Sequence, residues 1–165
     1  MRKTGIVRDS RFLNHDPGPF HPESPRRLEA VYAMLDTPEM AGWLIHVPAR
    51  PAATEDIAEV HDKSYIERIA RTEGKEKSTL DPDTATSPGS YEAAILAAGG
   101  LCEAVSKVVA GDLDNAFALV RPPGHHAESN QAMGFCLFNN AAIAAHFARG
   151  HHGLDRILIV DWDLH

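Results

Sequence analysis

The sequence predicts an α/β fold, a three-layer sandwich with a mostly parallel sheet between helices, and three observations predict it. Two short runs, 116–120 and 156–160, are apolar on both faces, as strands covered by helices on each side are. A helical pattern over 139–148 lies between them, giving strand, helix, strand. Both runs break straight into polar, titratable residues, at the place where open α/β sheets collect ligands.

The elements follow in order. Residues 5–8 suit a short strand. Ser24 and Pro25 open a helix: a hydroxyl N-cap, proline at the first helical position, then Leu28, Val31, Tyr32 and Leu35 at three- and four-residue steps. Residues 43–47 alternate enough for another short strand. Thr54 and Asp56 mark a helix start running to Val60, and Tyr65, Ile66 and Ile69 suggest a further helix ending by Gly74. Residues 90–109 form the longest predicted helix, with Ala, Leu or Val on most turns and Gly111 just past its end. The 139–148 helix takes Gly150 as its stop. Pro and Gly cluster at 17–25, 82–89 and 122–124, which read as loops inside one domain covering 1–165.

Composition narrows the function. At 165 residues the chain has the size of one ordinary domain, and 44% hydrophobic with 24% charged residues is a globular balance. A formal net charge of −7 argues against general binding to a nucleic-acid backbone, which needs a basic face. Two cysteines, Cys102 and Cys136, make no disulfide framework and are expected as buried, reduced thiols of a cytoplasmic protein. The basic start lacks the apolar stretch of a signal peptide, and no apolar run reaches membrane-spanning length. Histidine is over-represented at ten, four of them in two adjacent pairs.

The chemistry concentrates at the two predicted strand ends. Gly124-His125-His126-Ala127-Glu128 follows the first, and Asp161-Trp162-Asp163-Leu164-His165 follows the second. In extended backbone side chains alternate, so Asp161, Asp163 and His165 start on one face. Carboxylate and imidazole suit Zn²⁺, two of them converging on the ion and a third acid serving behind them or holding another cation. Histidine titrates near neutral pH, so the His125-His126 pair can supply the base that a metal-activated water needs. The plainer reading of the same acids is loop polarity or helix capping, and of the same histidines, loop hydrogen bonding. The remaining histidines carry less. His151 and His152 read as solvated loop, His146 as a surface helix position, His61 as a contact at a helix start, and His15 and His21 as flanks of a loop at a pocket rim. Cys136 between Phe135 and Leu137 reads as packing.

Three motifs in one order resemble the zinc-dependent deacetylase family, which includes histone deacetylases and acetylpolyamine amidohydrolases. They are the run from Arg121 to Glu128, the run from Gly134 to Asn140, and the run from Ile159 to His165, supported by His21-Pro22-Glu23-Ser24-Pro25-Arg26-Arg27. Pro122-Pro123 and Trp162 resemble the class II branch and its bacterial relatives. The resemblance implies an arginase-like α/β/α fold and hydrolysis of acetyl-lysine or acetylpolyamine-type amides. It implies Asp163 and His165 as zinc ligands, His126 as general base and then acid, and His125 as its electrostatic helper oriented by Asp161. Asp161 would also take part in a structural potassium site, with backbone carbonyls of Asp163 and His165. Gly134 would offer its carbonyl to the substrate amide, Phe135 would line the acyl channel, and Arg27 would lie behind the metal. The rim acid of some members is not evident, because Thr86-Ser87-Pro88 occupies that stretch.

The family pattern continues past His165 with a third zinc ligand and an oxyanion-stabilising Tyr or His. The sequence is therefore expected to be the N-terminal part of one deacetylase domain, its sheet incomplete at the C-terminal side, binding zinc weakly and turning over slowly or not at all by itself. Two other readings remain at this stage. One is an arginase-like binuclear manganese hydrolase of the same fold, which the Asp-x-Asp-x-His order disfavours. The other is an inactive acyl-ligand-binding module. The expected partner is an acetylated lysine or polyamine, with no nucleic acid and no membrane.

Overall fold

The structure, a computed structural model, describes residues 2–164. Its centre is a three-stranded parallel sheet in the order β2 (Leu44–Val47), β1 (Thr4–Val7), β5 (Asn115–Ala118). β1 pairs with both neighbours in register, Val7 lying between Val47 and Ala118. Side chains alternate between the two faces. Val7 and Val47 point into the core with Leu96, Ala97 and Ala104 of the long helix α4 (Ser90–Val109). Ile6 faces the other way, towards Leu35 at the end of α1 (Pro25–Leu35) and Met40 of the short 3₁₀ turn Pro38–Met40.

α4 explains the layering. Small residues fill the positions that approach the sheet and the 49–52 strap, so Ala97, Ala98, Gly99 and Gly100 are buried and the helix lies close. Its other side packs on α5 (Asn140–His152) through a second core cluster of Ile57, Tyr65, Ile66, Ile69, Leu137, Phe138 and Ile143. The short helices α2 (Thr54–Ala58) and α3 (Lys63–Ala70) contribute the first four of these. The result is the α/β fold with a mostly parallel sheet that the sequence predicts. Among the described residues, no helix is long and apolar enough to cross a membrane.

Several boundaries differ from expectation. Residues 156–160 are not a strand. β-branched, apolar composition reports a preference for burial, not the presence of a ladder partner. Here the segment runs without secondary structure, with Leu158 84% and Val160 63% exposed. α5 runs through Gly150, which costs it about 1 kcal/mol relative to alanine, and ends at Gly153 in the left-handed conformation. His151 and His152 are thus the last helical turn, not a loop: His151 Nε2 lies 2.8 Å from Asp56 Oδ1, and His152 Nε2 lies 2.9 Å from Ser106 Oγ. The 82–89 stretch holds half of a two-residue antiparallel pair, β3 (Ser78–Thr79) with β4 (Ala85–Thr86).

Candidate active site

The segment from Arg121 to Asn140 has little regular structure, so its polar backbone groups need other partners. Two asparagines supply many of them. Asn139 caps α5, its Oδ1 accepting from Ala142 N–H at 3.0 Å, while its Nδ2 donates to the carbonyls of His125 (3.2 Å) and Ala127 (3.1 Å). Asn140 is buried, and its Nδ2 donates to Pro122 O at 3.4 Å. A β-carbon on Gly124 would fall 2.3 Å from Asn140 Cγ, so this close approach requires glycine. Asn139 N–H donates in turn to His61 Nε2 at 2.9 Å. That fixes buried His61 as the neutral tautomer protonated at Nδ1, and burial pulls its pKa down. His61 stacks with Tyr65 and meets the Phe138 ring at a tilt beneath the loop.

Residues 133–136 form a tight turn, with Cys136 N–H donating to Met133 O at 2.9 Å. Both central residues have positive φ, Gly134 at 55° and Phe135 at 67°, as a type I′ turn requires. Gly134 has a second constraint. A β-carbon there would lie 2.5 Å from His126 Cδ2 and 2.6 Å from Cγ, so the backbone of the turn rests against the His126 ring. Phe135 is a bulky residue in a conformation that costs roughly 1–2 kcal/mol. Its N–H donates to Thr84 Oγ1 at 3.1 Å, and its ring meets His21 edge-on at 4.6 Å. Burial raises the Cys136 thiol pKa, so the side chain packs as an inert thiol.

His125 and His126 stand side by side, ring centroids 4.0 Å apart. His125 Nδ1 lies 2.8 Å from Asp161 Oδ2, and its Nε2 lies 3.7 Å from Asp163 Oδ2. Asp161 Oδ1 accepts from Asp163 N–H at 3.0 Å, and that bond, followed by the one to His125, lowers the Asp161 pKa. His125 and the two aspartates border an open cleft of about 440 Å³ lined by His125, Val160, Asp161, Trp162, Asp163 and Leu164. The structure therefore brings together His125, His126, Asp161 and Asp163, with Gly134 and Phe135 beside them. His165 lies outside the described residues. Arg27 is exposed in the first turn of α1, and the arginine buried beside the histidine loop is Arg121.

Arg121 belongs to a buried cluster that sequence reasoning did not find. Its Nε and Nη2 donate to Glu23 at 2.5 and 2.7 Å, and its Nη1 donates to Phe12 O at 3.0 Å. Glu23 Oε2 lies 3.4 Å from His15 Nε2, and His15 Nδ1 lies 2.8 Å from Ser90 Oγ at the start of α4. Burial would raise the Glu23 pKa, but His15 and Arg121 together outweigh it and hold the carboxyl down at about 2. His15, expected at a pocket rim, is buried; His21 stands against Phe135.

A parallel α/β sheet whose loops gather paired histidines and carboxylates places acid–base groups together where such sheets collect ligands. Comparison with known proteins gives it a family. The histone deacetylase domain model matches residues 21–165, and the chain belongs to that family. It is 41% identical over 145 residues to the histone deacetylase-like amidohydrolase of Pseudomonas aeruginosa, covering 88% of this chain and 38% of that protein. It is 40% identical over 149 residues to the polyamine deacetylase HDAC10 of Danio rerio, covering 87% of this chain and 22% of that protein. The crystal structure of the HDA15 HD domain superposes with a TM-score of 0.94 at 38% identity, over all of this chain and 48% of that one. The chain thus spans less than half the length of each of these three relatives.

Proposed function

We infer that this chain carries the histidine loop and part of the metal-binding face of a zinc-dependent amidohydrolase that removes acetyl groups from acetyl-lysine or acetylpolyamine-type amides. The observation that carries the reading is the convergence of His125, Asp161 and Asp163 on one cleft from segments 36 residues apart, with the His126 ring beside His125, in a chain of the deacetylase family. The donor chemistry fits zinc in kind: Asp163 offers carboxylate oxygen, and His165 is an imidazole. Among the described residues, no group of three or more His, Cys, Asp or Glu side chains is placed to hold a metal. Asp163 is the described member of the expected pair.

Bound there, zinc would acidify a water and polarise the acyl carbonyl. The other roles fall to this chain's residues. Asp161 accepts from His125 Nδ1–H, which fixes the ring's tautomer and leaves Nε2 facing the Asp163 side of the cleft. His126 takes a proton from the attacking water at a ring nitrogen and returns it to the departing amine. Its ring is seated against Gly134, so the proton carrier has a fixed position. The Gly134 carbonyl accepts from the substrate amide, and the Phe135 ring lines the acyl channel.

Replacing His126 by alanine is expected to lower acetate release from an acetyl-lysine peptide by at least a hundredfold in the whole zinc-loaded protein. Zinc content, measured by elemental analysis, should stay near that of the wild type. Loss of zinc together with activity would make His126 a ligand and overturn its assignment as the base.

A further inference from the structure

We propose that the buried Glu23–Arg121 pair, with His15 behind it, is a positioning unit that sets the histidine loop and the acyl-channel wall relative to each other. The proposal rests on the deacetylase reading above and adds a function for residues that touch neither metal nor substrate.

Glu23 is bonded into both walls of the site. On one side its carboxylate takes the Arg121 fork, and between Arg121 and His125 lie only Pro122, Pro123 and Gly124. Two prolines have fixed φ, Gly124 is pinned against Asn140, and Asn140 holds the Pro122 carbonyl. Few soft torsions separate the guanidinium from the histidines, so a shift at Arg121 is passed to them. On the other side Glu23 N–H donates to His21 Nδ1 at 3.1 Å. That bond leaves His21 Nε2–H to donate to Asp83 O at 3.0 Å and orients the ring edge-on to Phe135. Phe135 follows Gly134, whose backbone seats His126.

The chemistry of the pair favours positioning over simple stabilisation. Glu23 and Arg121 are 2% and 4% exposed, and removing two charges from water costs much of what their attraction returns. Apolar side chains of equal volume often stabilise as well. They cannot fix direction, whereas a planar guanidinium gripping both carboxylate oxygens sets distance and angle together. His15 holds the same carboxylate from a third element, and through Ser90 Oγ joins it to the start of α4, where Ser90 Oγ also accepts from Ser87 N–H at 2.7 Å.

The test uses Glu23→Gln, which keeps the shape and loses the charge, and Arg121→Lys, which keeps the charge and loses the fork. In the whole zinc-loaded protein, each should lower kcat on an acetyl-lysine peptide about 10- to 100-fold, with KM within about threefold. In metal-free protein, side-chain ¹H–¹⁵N spectra should show the His125 and His126 rings shifted in both variants. The control is Val47→Ala, buried in the edge strand β2 on the far side of β1 from β5, expected to lower Tm by about 4–8 °C and leave kcat and ring signals unchanged. If Glu23→Gln loses Tm like the control but keeps kcat and both ring signals, the pair is only a stabiliser and the proposal is wrong. Should either variant fail to fold, His15→Gln alters the outer contacts and leaves the Glu23–Arg121 fork in place. It should show the same changes at smaller size, and no change in it also overturns the proposal. If the wild type releases no acetate, the deacetylase reading fails, while the ring spectra still decide the positioning claim.

Discussion

The two sides of the site are held by different means. His125 and His126 stand on a loop whose carbonyls are claimed by Asn139 and Asn140, whose floor is His61, and whose first residue is a buried arginine gripped by a buried glutamate. Asp161 and Asp163 stand on 154–164, which lies exposed and reaches the histidines through the Asp161–His125 hydrogen bond. A charge-assisted bond away from water escapes the screening by solvent and salt that weakens the same bond at the surface. Within the described residues the histidine side is therefore held by buried partners, and the carboxylate side by its contacts with His125.

The largest break in that comparison should come at Gly134. Alanine there must hold φ near 55° and place its β-carbon within 2.9 Å of three His126 side-chain atoms. Strain and overlap together should cost about 3 kcal/mol, a fall in Tm of roughly 6–12 °C for a domain of this size. A calorimetric scan checks this. A Gly134→Ala protein with wild-type Tm would show that the turn gives way easily and that the loop is not firmly held.

Acid should separate the two sides next. The folded Glu23 carboxyl is held at about 2 against an ordinary value of 4.5, so it binds its proton more readily in the unfolded chain. Its contribution is complete above pH 4.5 and is lost as pH falls from 4.5 towards 2, amounting to about 3 kcal/mol in total. Urea titrations of the wild type and Glu23→Gln should therefore diverge above pH 4.5 and converge towards pH 2. Parallel curves across that range would mean that the buried pair does not carry the acid sensitivity.

The same contrast explains what the sequence could show. The ends of α1 and α4 were legible because capping and apolar spacing are local: Ser24, Pro25 and the run from Ser90 to Val109 need no distant partner to be recognised. The clustering of His125 with Asp161 was legible as titratable groups following two apolar runs, although only the first of those runs holds a strand. Glu23 and Arg121 were not, because each is a charged residue in a proline-rich loop and 98 positions separate them. Nothing in either neighbourhood says that the other exists. Asn139 and Asn140 were read as a helix start, and only the fold shows them holding the loop backbone. Residues 156–160 failed in the opposite direction, since apolar character marks what a segment would bury and says nothing of what it meets.

The smallest structural effect should accompany a clear functional one at Asp161. Its side chain is about half exposed and its partner His125 is a quarter exposed. Asp161→Asn removes a charge where water can replace it, so Tm should move by less than about 2 °C. An asparagine can still accept from His125 Nδ1–H, but it no longer stabilises a positive charge on the ring, and it can turn its own donor towards it instead. Acetate release in the whole zinc-loaded protein should then fall about tenfold or more. A Tm loss as large as that of Gly134→Ala would show the carboxylate segment to be as firmly held as the histidine loop. Unchanged activity with unchanged Tm would remove Asp161 from the orienting role and leave Asp163 as the segment's contribution to the site.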